Sequence, residues 1–544
     1  MSVRIRLPGA LLPALLAGAV SASWAGATTL DLLLDQTGDG THEMFSPNGI
    51  AVDSAGSAFV AAESRDNAFR IDPDGTITQI IDATGDGANV LDRTRDVAVG
   101  PSGNAYVGGW STDNVFRITP GGTITEIIDA SGAGGPAVLN EPWALAVDGA
   151  ENVYVTGRAS DNVFKITPGG VVTEILDANG DGFGNPLERP TDVAVDAAGN
   201  VYVVGQASDN LFKVTPGGTV TRILGPTGNG AGTNYSSPAS VAVTPGGTVY
   251  VTNSSPDSIF RVTPAGAISV FALGGETGIP LLDNPFAIAL DATENVYVTT
   301  LVGDRLLRIT QSGDVRTMLG PAGDGTGELE NPIAVATGAG GAVYVVGEDS
   351  HTAFRLVPVC PDMPMPGCGQ PAEATSGRLI LKAGILRWTW NRGSETLLGD
   401  FGDPLTSASH SVCAYDESGL APSLAFEGTA QAGGICSGRP CWRLTSKGYK
   451  FRDKAAAPDG IKKVLLFPGA EGAARILAKG KGDHMSVPPL PLALPFRVQM
   501  QGSHGECWEA AFFEAGAKRN DPTVFKGIAG SPSGAFLVPP GGET

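Results

Sequence analysis

Seven large apolar residues keep time through the first two thirds of this chain. Phe69, Phe116, Phe164, Phe212, Phe260, Leu307 and Phe354 recur at intervals of 47 or 48 residues, each inside a related stretch of sequence. A period of that length means that one supersecondary unit is stacked on copies of itself. The unit is clearest in Pro142-Trp-Ala-Leu-Ala-Val-Asp148, Asn152-Val-Tyr-Val155 and Asp161-Asn-Val-Phe-Lys-Ile-Thr-Pro-Gly-Gly170. Each copy holds four short runs of alternating Val, Ile, Tyr and Phe, cut by Gly, Pro, Asn or Asp, which reads as four strands joined by tight turns.

Four strands per period and no helical stretch suit a propeller blade better than a solenoid coil. Twenty-one residues before each clock position stand Asn48, Arg95, Trp143, Thr191, Ala239, Phe286 and Ile333, all at the start of a first strand, so length variation is confined to the loops between blades. Thr29-Leu-Asp-Leu-Leu-Leu-Asp35 reads like a fourth strand, whereas the last copy stops after its third strand near Pro358. The expectation is a seven-bladed propeller over residues 28–358 whose seventh blade is completed by the N-terminal strand, pairing the edges left at the seam.

Pro47-Asn-Gly-Ile-Ala-Val-Asp53 and Gly199-Asn-Val-Tyr-Val203 resemble the segments of the NHL repeat. That resemblance implies the propeller fold. It leaves function open among protein-binding and RNA-binding scaffolds and lyases, and related propellers include lactonases. The streptogramin-lyase type implies histidines and a metal at the channel mouth, for which the propeller offers His42 and His351, both near the seam. A lactonase-like ion would draw on Asn48, Glu63, Asp96 and Asp192.

Residues 1–27 read as a secretory signal, with Arg4 and Arg6 before an apolar run and Ala25-Gly-Ala27 as the cleavage site. No later stretch approaches the roughly 20 apolar residues of a spanning helix. The expected destination is export to the periplasm, cell surface or medium. The formal charge of −20 argues against nucleic acid, whose phosphates are met by clustered Lys and Arg.

All six cysteines follow the propeller. An even number in an exported chain favours disulfides; six allow 15 connectivities, and only Cys360 with Cys368 suggests a local pair. Residues 359–377 read as a Pro/Gly-rich linker, and 378–544 as a β-rich domain, expected to be a sandwich. Its segments Lys447 to Asp453 and Gly438 to Trp442 read as turns. Trp388, Trp390, Trp442 and Trp508 are either core residues or a sugar-stacking platform.

Function on a propeller is sought where otherwise similar blades differ at the mouth of the central channel. The residues at the first-strand entrance and six before the clock nominate Glu63, Arg95, Asp96, Trp110, Trp143, Arg158, Asp192 and Gln206 as walls of a polar ligand site. The loop Asp177 to Glu188 fits a calcium-loop pattern, with Asp177, Asn179 and Asp181 as side-chain ligands, Phe183 through its carbonyl and Glu188 as the bidentate end. Repetition of Gly-Asp-Gly in other inter-blade loops offers a plainer role as a turn. Together these features predict an exported, non-enzymatic scaffold presenting one face to a protein or glycan. The alternatives are a metal-assisted lyase or lactonase-type enzyme and a structural surface or matrix component.

Overall fold

The computed structural model describes residues 28–530 apart from short internal stretches, the longest being 455–459 and 482–487. The segment read as a signal, 1–27, lies outside the described residues. Seven four-stranded antiparallel sheets follow one another. Their first strands are Pro47–Val52, Thr94–Val99, Pro142–Val147, Pro190–Val195, Pro238–Val243, Pro285–Leu290 and Pro332–Thr337, here blades 1 to 7. Each first strand touches the next, and that of blade 7 touches that of blade 1, so the inner strands form a ring. The fourth strand of blade 7 is Thr28–Leu34, antiparallel to Thr352–Pro358.

The apolar core lies between blades as seven clusters, each drawn from two neighbours. Every clock residue is fully buried in one of them. In the loops that lead into blades 1 to 4 a left-handed glycine, Gly38, Gly85, Gly132 or Gly180, sits against the clock phenylalanine. Gly85 has φ of +60°, and a Cβ there would stand 1.9 Å from the Asn89 carbonyl oxygen and 2.9 Å from the tip of Phe116. The first glycine of the Gly-Asp-Gly phrase is therefore required by both backbone conformation and contact.

A second device staples the blades together. Three residues before the clock stand Asp66, Asp113, Asp161, Asp209, Asp257 and Asp304. Each carboxylate accepts the N–H of the left-handed residue that precedes the next blade, at 2.6 to 2.9 Å. At the seam this position is His351, whose Nδ1 lies 3.1 Å from the backbone nitrogen of Ser46. A third device closes the outer turn of blade 3, where Asp148 accepts from Asn152 and from the Tyr154 hydroxyl. Blade 2 has Gly100 at the matching position, and Glu151 of blade 3 reaches across to Ser102, Asn104 and Tyr106 instead.

Beyond the propeller lie an eight-stranded and a four-stranded antiparallel sheet with a large apolar cluster between them. Trp388, Trp390, Trp442 and Trp508 all belong to that cluster. Their faces are core surface, and the stacking-platform expectation is set aside.

The turn expected over Lys447 to Asp453 contains the strand Gly448–Arg452, paired with Trp442–Thr445 and Ile461–Phe467. Tyr449 and Phe451 point into the core there, a two-residue alternation obscured by Lys450 between them and Arg452 after them. The disulfides also differ from the local pairing. Cys360 joins Cys413, Cys368 joins Cys507, and Cys436 joins Cys441. Cys360 and Cys368 are both buried, so their partners come from the sheet that covers them and not from the nearest cysteine in the chain. An ion pair between Arg316 of blade 6 and Glu427 connects propeller and C-terminal part.

Candidate functional site

The channel opens into a cavity of about 440 Å³. Arg95, Asp96, Trp143, Arg158, Asp192 and Gln206 line it, together with Asn48, Ser240 and an apolar arc of Ala239, Phe286 and Ile333. Glu63 and Trp110 stand one layer behind. Glu63 accepts from Asn48 Nδ2 at 2.6 Å, and Trp110 meets Trp143 edge to face with ring centroids 6.3 Å apart.

The two aspartates solve a backbone problem. The head of each first strand departs from regular register, which leaves inner N–H groups outside the ladder. Asp96 accepts from its own strand at Val97 and from Leu145 of blade 3, both at 2.8 Å. Asp192 accepts from Val193 at 2.8 Å, and from the Ser240 hydroxyl and Val241 N–H of blade 5 at 2.6 and 2.7 Å. In blades 3, 5 and 6 a second-strand threonine accepts the N–H of Ala144, Ser240 or Ala287.

Removal from water pushes the Asp96 carboxyl up to about 7, with the charge of Asp192 adding to the rise against the pull of the Leu145 N–H. Burial likewise lifts Asp192 to about 6, against the pull of Ser240 and the two amides. The arginines do not pair with them.

Arg95 and Arg158 gather instead on one indole. Their guanidinium carbons stand 3.7 and 4.1 Å from the Trp143 ring centroid, a favourable placement over a π face. Their carboxylate contacts are long, Arg95 to Glu63 at 3.8 Å and Arg158 to Glu141 at 3.4 Å. Burial lowers the Arg95 pKa, partly offset by Glu63 and Glu348. Asn48 Oδ1, Arg158 Nε and Trp110 Nε1 are buried without a protein partner. Sequence reasoning missed Arg93, which stacks on Trp110 at 4.4 Å; it precedes the first-strand positions that were compared between blades.

The remaining nominated residues lie apart from this mouth. In the loop after blade 3, Asp177 accepts from the backbone and side chain of Asn179, and Asp181 from Phe183 N–H and Asn185. The Glu188 N–H donates to Ser208. Among the described residues no group of three or more His, Cys, Asp or Glu could hold a metal ion. His42 bonds Asp39 at 2.9 Å, while His351 faces Ser46 and Glu348.

No family profile matches the chain, and no curated protein matches it. Among solved structures, a streptogramin B lyase is 16% identical over 62% of this chain and 99% of its own, with a TM-score of 0.49. A catalytically inactive virginiamycin B lyase from Staphylococcus aureus with quinupristin is 18% identical over 61% and 99%, with a TM-score of 0.48. A chain of the mitotic checkpoint complex is 12% identical over 66% and 98%, with a TM-score of 0.45. These likenesses assign no activity.

Proposed function

We propose that this chain is a non-enzymatic binding scaffold whose propeller takes a polar group of a glycan or protein at one mouth of its channel. The observation that carries the reading is the cluster at Trp143. Two guanidiniums stack on one indole, make only long carboxylate contacts, and stand beside buried donors and an acceptor that lack protein partners. Leaving such groups unpaired costs about 1–3 kcal/mol each. A ligand bearing hydroxyl and carbonyl oxygens would pair Asn48 and the two arginines, which line the cavity.

The titratable groups available for catalysis serve the architecture: Asp96 and Asp192 hold neighbouring blades, and His351 occupies a staple position. The same reading takes Thr28–Leu34 as a clasp that closes the ring and the two later sheets as a sandwich. It also takes residues 1–27 as an export signal, in keeping with three disulfides in an oxidising compartment.

Glycan arrays and displayed-peptide libraries probed with the full chain test this, alongside Trp143→Ala and Arg158→Gln variants. Ligands held by the wild type and lost by both variants are expected. Ligands held equally by the variants would move the site elsewhere, and conversion of a bound ligand to product would overturn the non-enzymatic reading.

A further inference from the structure

The eight-stranded sheet turns one face to the core and the other outward. Leu379, Leu381, Leu386, Trp388, Phe451, Val464, Ala478 and Phe525 point inward; the residues that alternate with them face away. Strand pairing sets the outward residues in lateral register. Arg452 lies opposite Lys463, Lys463 opposite Lys479, and Lys479 opposite Arg387. Arg387 is opposite Ile380, Ile380 opposite Lys526, and Lys526 opposite Arg519. Seven adjacent strands therefore carry a row of six cations interrupted once. At the usual 4.7–4.9 Å between strands the row is roughly 29 Å long.

Like charges directly opposite one another destabilise a sheet. Among the described residues only Arg519 of this row has an ion-pair partner, Asp521. Arg378, Lys450 and Arg475 lie on the same face. Burial together with Lys479, Lys450, Arg452 and Arg475 lowers the pKa of Lys463. The concentration is local: residues 378–544 hold 19 Lys and Arg against 15 Asp and Glu, in a chain whose formal charge is −20. Among the described residues the ion pair with the propeller is made from the other sheet, at Glu427 on the strand Ser423–Ala430, and Arg387, Arg452, Arg519 and Lys526 of the row are exposed.

We infer that this row is a docking surface for an extended anionic polysaccharide, its carboxylates or sulfates running across the strands. A straight file of regularly spaced cations complements a linear polymer with regularly spaced charges. Its central outward neighbours are Thr389, Leu465 and Leu477; the aromatic Phe467 lies on this face opposite Arg475, beside the row and not within it, so the cations are not interleaved with the rings on which single-stranded nucleic acids stack. The long Lys and Arg stems cover these apolar neighbours while the charged heads remain in water.

The test is binding of the full chain to sodium polygalacturonate, heparin, single-stranded DNA and anionic vesicles at low and high salt. The wild type is compared with an Arg387→Gln/Lys479→Gln double variant and with a Lys165→Gln/Lys213→Gln control on the propeller. The expected result is salt-sensitive binding of at least one polysaccharide, about tenfold weaker in the row variant and unchanged in the control. The row variant should unfold at the same or a higher temperature, since it loses repulsion. Equal loss in both variants, no polysaccharide binding at low salt, or tighter binding of DNA or vesicles would overturn the inference. Wild-type self-association abolished by the row substitutions, without polysaccharide binding, would overturn it in favour of a second copy's acidic surface.

Discussion

His351 Nδ1 lies 3.1 Å from the backbone nitrogen of Ser46 and 2.8 Å from the carbonyl oxygen of Glu348. One ring nitrogen cannot serve both at once: unprotonated it accepts from Ser46, and protonated it donates to Glu348. As an acceptor it does at the seam what aspartate does at the six other blade junctions. His351→Asp should therefore retain stability to within about 0.5 kcal/mol, whereas His351→Ala should lose about 1 kcal/mol with the hydrogen bond. Denaturant unfolding of both variants checks this, and equal losses would remove His351 from the staple series.

Asp96 is pushed up to about 7 and Asp192 to about 6, mainly by burial. Each binds its proton more tightly in the folded chain than in the unfolded one, where carboxyls titrate near 4. Their stabilisation is complete below pH 4 and lost as pH rises toward 7. The stability advantage of the wild type over Asp96→Asn should thus shrink across that window, by about 1 kcal/mol per pH unit. An advantage that stays flat from pH 4 to 7 would contradict the buried-carboxyl account.

Gly85 and Gly122 both have positive φ, at +60° and +82°, but only the first would carry a Cβ into neighbouring atoms. Gly122→Ala should cost about 1 kcal/mol through backbone strain alone. Gly85→Ala should cost at least about 2 kcal/mol more, because the Asn89 carbonyl and the Phe116 ring must also move. Similar values for the two in thermal melts would show that the loop yields freely.

Carboxylates in the loop after blade 3 already accept from their own turn. The melting temperature is expected to be the same in excess EDTA and in millimolar calcium, with Asp181→Ala lowering it equally in both. A calcium-dependent rise, abolished by Glu188→Gln, would assign the loop to the ion instead.

The blades were legible because their large apolar residues repeat once per unit and their strands alternate every two residues. The mouth was legible as the places where repeats disagree: Arg95, Trp143 and Arg158 stand out against Ala239 and Ile333. What remained hidden depends on contacts between distant segments. Cys360 pairs with Cys413 and Cys368 with Cys507 because of which sheet covers them. Strands such as Ala517–Asp521 carry mostly polar residues and show no apolar alternation. The cationic row draws on residues from 387 to 526, made neighbours only by a sheet in which Arg387 meets Lys479 and Ile380 meets Lys526.

The carboxylate that Glu151 lends to Ser102, Asn104 and Tyr106 means that the repeats are not interchangeable parts. Gly100 leaves no room for a side chain of its own, since a Cβ there would stand 2.3 Å from the Glu151 carboxylate. Blades 2 and 3 must therefore be inherited together. A shuffled ring that separates them would leave a buried-edge tyrosine without its acceptor on one side and a stray acid on the other, so the order of the copies is written into the array as firmly as their number.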